Sequence, residues 1–593
     1  MHPLAKPEFD EGIVNTDLSL QRMLLALQPT PAQQAELDAL VEAQQDPASP
    51  EFHQWLVPAE FGARFGANEA DLAQVIAWLT AHGFVIDEIP AGQRLIVFSG
   101  SAGQVFDAFH TEIHHYRVNG TMHIANLQDP QIPAAFAGVV RGVVSLHDFR
   151  RGAQMRIRSD AVSAPDYSAG STHYVFPADF AAIYNLNPVY GGGITGAGAT
   201  IAIAGRSNID LSDVAAFRSI AGLPANAPTV VLEGADPGLV AKDQAESTLD
   251  VEWSGAIAPD ANVKLVVAAS AATTDGVDLA AAYIVNHATA PVVSISYGSC
   301  EQEMGVAELA FYNDLWEQAA SEGISVFVAS GDAGAAGCAT GADSRGSEMA
   351  VNGLCSSPYA TCVGGTEFND DSNTAAYWSG TNSANYGSAL GYIPEVVWNE
   401  SAANGGTGMW ASGGGASVVY EQPVWQANAS GAAEADGMRA VPDVALAAAD
   451  HDGSFAIVKG ARFIVSGTSV ATPDFAGLMA LVVAKQNRAA QGNVNSVLYA
   501  MAGGAHNPFH ATQSGNNSVP GVGGFTASGS TFNLATGLGS VDGALLVDNW
   551  GAEPEPVQIA PKSTRCSRQG LLPGGCKPPQ RSPQPIRGFH GSR

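Results

Sequence analysis

Cysteine is scarce in this chain, with six in 593 residues, too few for a disulfide scaffold. Four of them (Cys300, Cys338, Cys355, Cys362) share one stretch and two (Cys566, Cys576) lie near the end. None has the paired Cys/His spacing of a zinc site. Two states stay open for them: disulfides, with Cys355–Cys362 the most local candidate, or buried free thiols. Long apolar runs are missing too. The longest useful one, Phe475 to Ala484, is about half of what a bilayer requires, so no membrane span is expected. The first residues, MHPLAKPEFDEGIVNTDL, show no apolar segment of a signal peptide. Positive charge is also low: 27 Lys and Arg stand against 57 Asp and Glu, giving −30 at pH 7. Such a surface repels phosphate backbones, which argues against nucleic-acid partners.

What is present suits a globular protein of two or three units, since 46% of residues are hydrophobic. Residues 18–150 read as a small α+β unit. Helical patterns at Ala32 to Gln45 and Ala70 to His82 alternate with strand-like runs at Arg94 to Phe98 and His114 to Tyr116. Residues 151–172 lose periodicity and carry three arginines among Ser, Ala, Gly and Pro, the composition of an exposed, cleavable linker. From residue 173 to 549 short apolar strands recur at Thr200 to Ala204, Val263 to Ala268, Pro291 to Ser296, Ile324 to Ala329 and Phe455 to Val458. Helical stretches separate them at Asp243 to Ile257, Gly305 to Ala320 and Ser469 to Asn487. That alternation predicts an α/β fold: a parallel sheet covered by helices on both faces, with chemistry beyond the strands' carboxyl ends. Residues 550–593 are basic, rich in Pro and Gly and without period, and are expected to be disordered.

The sharpest motif is Ser466-Gly467-Thr468-Ser469-Val470-Ala471-Thr472-Pro473, preceded by a strand pattern and opening a helix. Ser469 at a helix N-terminus faces unpaired N–H groups that favour developing negative charge, as a nucleophile forming an oxyanion requires. A serine needs a base, and no histidine stands in an H-G-T-H-like context. His173, His287, His451, His506 and His510 each read more simply as surface or core residues. Carboxylates fit better. Glu246 and Asp250, at i and i+4, share one helical face among Leu249, Val251, Trp253 and Ile257. Asp332 follows a buried strand in VASGDAGAAG, at the sheet's carboxyl edge; taken alone it is also compatible with an ordinary Gly-rich turn.

These segments, with SISYGSCE (Ser294 to Glu301), CVGGTEF (Cys362 to Phe368), SGGGAS (Ser412 to Ser417) and Arg439 to Asp450, occur in an order that resembles the sedolisin family of serine-carboxyl peptidases, the kumamolisins and pseudomonalisins among them. Residues 18–150, with SPEFHQWLVPAEFGARFG and GTMHIANLQDPQIP, resemble that family's activation propeptide. The resemblance implies a subtilisin-like parallel sheet preceded by a ferredoxin-like α+β prodomain. It implies a secreted, acid-acting endopeptidase made as a self-processing zymogen, with proteins or peptides as substrates and its own propeptide as intramolecular inhibitor. Ser469 is then the nucleophile, Glu246 the general base, Asp250 its support and Asp332 the oxyanion-hole donor. Acid chemistry agrees: near pH 4 imidazole is neutral only about one time in 300, whereas a glutamate is roughly one-third ionised. Ser412, Gly413, Gly414 and Gly415 are expected to offer an edge along which an extended peptide adds as a strand. No Gly-Lys-Ser/Thr follows them, which excludes a phosphate loop.

The family's calcium site is degraded here. In PFHATQSGNN and STFNLATGLGS, Ala511 and Asn533 stand where the resemblance places two aspartates. Calcium wants charged oxygens, so no tight site and no required cofactor are expected. Three other readings remain at this point: a tripeptidyl exopeptidase using the same residues, a non-catalytic secreted homologue, and, less well, a glycosidase built on two carboxylates.

Overall fold

A computed structural model describes residues 1–158, 168–169, 172–370 and 372–551; the tail expectation falls on residues outside these. Near the N-terminus four antiparallel strands stand in the order Val85–Glu88, Leu95–Ser101, Ser19–Leu27, Val140–Val143. Helices Pro31–Gln45, Glu69–Ala81 and Ala102–Phe109 accompany them. Local sequence fixes two of the helix starts. Thr30 with Gln33, and Ser101 with Gln104, form reciprocal capping boxes that satisfy otherwise unpaired N–H groups. Leu25, Phe98, Val105 and Phe109 fill the core of this unit, so the small α+β fold expected from the sequence is present.

The larger part is built on an eight-stranded sheet. Its order is Thr229–Leu232, Asn262–Val267, Thr200–Gly205, Val292–Ile295, Ser325–Ala329, Thr361–Phe368, Glu395–Val397, with Val444–Ala447 also paired to Thr361–Phe368. All neighbours run parallel except Glu395–Val397. One face is covered by helices Gln244–Ile257 and Thr468–Lys485, whose Leu249, Trp253, Phe475 and Leu478 share one core. The other is covered by Gly276–Asn286 and Glu301–Ser321, through residues such as Val277, Ile284, Tyr312 and Trp316. This is the doubly covered parallel sheet predicted from the alternating pattern. Cys300–Cys338 and Cys355–Cys362 are disulfides, which closes the question of free thiols for these four.

Two sequence expectations are corrected. Ser454–Val458 is not a strand of the parallel sheet. It pairs antiparallel with Ala461–Ser466 as a hairpin. Its two turn residues, Lys459 and Gly460, both have positive φ (54° and 70°), the geometry of a tight two-residue hairpin. The second correction concerns the segment after Arg150. Arg151 is only 4% exposed, Gly152–Ala153 pairs antiparallel with Tyr297–Gly298, and Arg156–Arg158 pairs antiparallel with Ile464–Ser466. A stretch without periodicity of its own is ordered here by the strands of the larger unit. Among the described residues no helix is long and apolar enough to cross a membrane.

Candidate active site

Three elements converge at the carboxyl end of the sheet. The helix Thr468–Lys485 starts at Gly467, which takes φ +116°, a conformation open chiefly to glycine. Ser469 is fully buried in its first turn. Pro473 lies four residues further on and has no N–H to give to the Ser469 carbonyl, so the helix leaves that oxygen outside its own ladder. The Ser296 hydroxyl sits 3.5 Å from it.

Glu246 and Asp250 come from the helix Gln244–Ile257, thirteen of whose fourteen residues are buried. The like-charge spacing that would weaken a solvated helix is here held by packing around it. Asp250 accepts a hydrogen bond from the Ser296 hydroxyl at 2.7 Å. Burial raises Asp250 to about 8, against the pull of that bond. Burial also drives Glu246 well above the ordinary carboxylate range, the adjoining Asp250 adds to this, and the Ser469 hydroxyl partly offsets it. The titrations of the two carboxyls are therefore linked, and burial favours the protonated form of each. Neither Glu246 oxygen has a hydrogen bond of normal geometry, and Ser469 Oγ donates to the Ser296 carbonyl at 3.3 Å. Glu246 is thus a buried acceptor beside the serine with its lone pairs uncommitted.

Asp332 follows the strand Ser325–Ala329. Its Oδ1 accepts from the Thr468 N–H and hydroxyl, both at 2.8 Å, and its Oδ2 has no partner. Burial raises Asp332 to about 8, against those two bonds. A methyl group placed on Gly467 would come within 2.5 Å of both Asp332 Oδ2 and the Gln154 carbonyl oxygen. The free carboxyl oxygen and that carbonyl therefore border one small space, which only glycine leaves open.

Gln154 was not foreseen. Its N–H donates to the Ser296 carbonyl at 3.1 Å, its carbonyl accepts from the Ser469 N–H at 2.9 Å, and its side-chain oxygen accepts from the Asp332 N–H at 3.2 Å. Residues 152–154 run along Ser296 to Gly298 on one side, and residues 156–158 along Ile464 to Ser466 on the other. The bond between Gln154 and Met155 thus lies across the serine, with its carbonyl on a helix N-terminal N–H. Ser296 lies within the SISYGSCE motif, but its contacts with Asp250, Ser469 and Gln154 depend on tertiary pairing that no local pattern reveals.

The other sequence candidates fall as follows. Ser412, Gly413, Gly414 and Gly415 are all buried, and their polar groups are used within the protein. Gly413 N–H donates to the Gly331 carbonyl at 2.7 Å, Ser412 Oγ to the Ala535 carbonyl at 2.7 Å, and Asn517 Nδ2 to the Ser412 and Gly414 carbonyls. They back the end of the Ser325–Ala329 strand, while the extended segment pairs elsewhere. None of the five histidines singled out above hydrogen-bonds to Ser469; His173, for one, stacks on Trp378. At the position of the family calcium site, Ala511 offers no side-chain oxygen. Asn533 donates to Thr512 and Thr536 hydroxyls at 3.0 Å and accepts from the Ala535 and Thr536 N–H groups. Neither residue presents a carboxylate there, and the Asn533 side-chain oxygen is already occupied by N–H donors. Among the described residues one group has metal-ligand proximity, Asp370, His451 and Asp452, with His451 Nε2 bonded to Asp370 at 3.1 Å.

A family model described as the pro-kumamolisin activation domain matches residues 10–149. Sedolisin from Pseudomonas sp. (strain 101) is 30% identical over 520 residues, spanning 86% of this chain and 84% of that protein. The chain belongs to the sedolisin family. Kumamolisin from Bacillus sp. (strain MN-32) is also 30% identical, over 534 residues, 86% of this chain and 88% of the relative. A solved structure of Pseudomonas sedolisin, described as a serine-carboxyl proteinase complexed with two molecules of pseudo-iodotyrostatin, superposes with TM-score 0.54 at 28% identity. It covers 64% of this chain and 98% of its own. This sedolisin-family chain is a serine-carboxyl peptidase carrying its activation domain at the N-terminal side.

Proposed function

We propose that the chain is an acid-acting endopeptidase that cuts its own Gln154–Met155 bond through Ser469, Glu246, Asp250 and Asp332. The observation that carries this is the Gln154 carbonyl on the Ser469 N–H, beside the free oxygen of Asp332. In molecules where the Glu246–Asp250 pair has lost a proton and Glu246 is ionised, Ser469 Oγ passes its proton to Glu246 and attacks the Gln154 carbonyl carbon. The resulting oxyanion is held by the Ser469 N–H and by a proton on Asp332 Oδ2, a carboxyl that burial keeps neutral. The C–N bond then breaks, Glu246 returns the proton to the Met155 nitrogen, and an ester remains between Ser469 and Gln154. Water resolves the ester with Glu246 again as base. Asp250, fixed by Ser296, shares the proton load of Glu246 and keeps its orientation.

Acid action is supported by the family relationship and by a site whose acid–base groups are all carboxyls, with no histidine bonded to the serine. Endopeptidase action, rather than removal of tripeptides, is supported by the path of residues 150–158, which enters and leaves the cleft as continuous chain. A cleft sealed after three residues would not admit it. Secretion is supported by the family relationship and the disulfides. Acidification of the purified full-length chain should release a fragment whose new N-terminus reads Met155-Arg156-Ile157, determined by intact mass and N-terminal sequencing. A first cut at another bond would refute the register.

Calcium is not needed on this reading, because Asn533 occupies its own hydrogen-bonded turn. Incubation with excess EDTA should shift the melting temperature by less than about 2 °C, well under what loss of a structural cation produces. A larger drop that calcium restores would show a working site.

A further inference from the structure

The residue four places ahead of the proposed cut, counting Gln154 as the first, is Arg151, and its guanidinium is held on several sides. Arg151 Nη1 lies 2.6 Å from Asp278 Oδ1 and 3.6 Å from Asp275 Oδ2, and Nη2 pairs with Glu308 Oε1. Its guanidinium carbon stands 5.0 Å from the centre of the Tyr312 ring. Arg206 Nη2 donates to the Arg151 carbonyl at 2.7 Å, and Arg206 is itself anchored by Asp243 and Asp275. Asp275 caps the helix Gly276–Asn286, which carries Asp278, and Glu308 and Tyr312 lie one turn apart on Glu301–Ser321. Asp275, Asp278, Glu308 and Tyr312 are buried, and all four belong to the peptidase part, so the pocket stays when the propeptide departs.

We infer that Asp275, Asp278, Glu308 and Tyr312 form a recognition pocket for an arginine side chain four residues ahead of the cleaved bond, in protein substrates as well as in the chain itself. This rests on the register proposed for Gln154–Met155. A substrate lying along Ser296 to Gly298 in that register places its fourth residue here. The planar guanidinium meets carboxylates from two helices at once and lays its face on an aromatic ring, which lysine cannot do equally well. A neutral side chain would leave buried carboxyl groups without their partner, and that loss is where discrimination arises.

The test uses the mature enzyme obtained from the full chain and internally quenched peptides that differ only in carrying Arg, Lys, Gln or Leu at this position. Arg should exceed Leu by about tenfold or more in kcat/KM, chiefly through KM, with Lys between them. Asp278→Asn and Glu308→Gln should each cut that advantage to roughly threefold or less while leaving the Leu peptide within about twofold. Equal cleavage of the Arg and Leu peptides at the intended bond by the wild type overturns the pocket, as does a full preference retained in both variants. Cleavage at a shifted bond, read by mass spectrometry, overturns it through the register instead. Where the variants fail to mature, the wild-type series decides.

Discussion

Ser469→Ala should remain a full-length chain at about pH 4, under conditions where the wild type converts to the shorter form, and should lose peptidase activity by about a hundred-thousandfold. The size follows from what the hydroxyl does. On the proposed mechanism it supplies the attacking oxygen, so its removal abolishes the ester route, and neighbouring groups retain only binding and charge stabilisation. The substitution itself should be benign to the fold. Ser469 Oγ makes one 3.3 Å bond to the Ser296 carbonyl, and alanine is the better helix former in the first turn. Intact mass over a time course, with casein hydrolysis measured in parallel, checks both halves. Maturation of this variant at the wild-type rate, without added protease, would exclude self-processing through Ser469.

Asp332→Ala should cost about a hundred- to a thousandfold in kcat with little change in KM, the effect of removing one donor from an oxyanion. Asp332→Asn gives the more informative result. The amide donates at every pH, whereas the carboxyl donates only while protonated. Burial raises Asp332 to about 8, so its proton is present well below that pH and lost as pH rises through it. The wild-type rate should therefore fall on the alkaline side as this group ionises. The asparagine variant, if it matures, should keep part of the rate and lose that component of the alkaline decline. Glu246 and Asp250 ionise on the same side and shape what remains, but loss of their proton frees the base and does not remove a donor. A kcat profile with an unaltered alkaline limb in Asp332→Asn would mean that Asp332 does not act through its proton.

Much of this site is legible in the sequence because each participant stands on its own local signal. Ser469 opens a helix after a strand, Asp332 follows an apolar strand, and Glu246 and Asp250 fall on one helical face among large apolar residues. The parallel sheet announces itself by apolar runs between helices. What stays hidden depends on pairing across the chain. The Gly152–Ala153 and Arg156–Arg158 strands lack alternation, because the cleft and not a core of their own dictates their extension. They therefore read as exposed linker. Gln154 acquires its contacts only through that pairing, and Ser296 meets Asp250 and Ser469 only in the folded tertiary structure. The hairpin at Lys459-Gly460 was visible in principle, as a two-residue turn ending in glycine between apolar runs, yet apolar content alone favours a parallel-sheet strand.

The segment from Gly152 to Arg158 is one continuous chain threaded across the site, and a cut at the proposed Gln154–Met155 bond would change the kind of equilibrium that governs inhibition. Before the cut the blocking strand is tethered at both ends, so its effective local concentration is set by chain connectivity, about millimolar, and no dilution can lower it. After the cut residues 152–154 leave with the propeptide as an ordinary ligand, while residues 156–158 stay joined to the peptidase beside Ile464 to Ser466. Inhibition then depends on how much propeptide is present. With processing at that bond, a concentrated preparation would remain self-restrained, and the same molecules would become free enzymes when they disperse.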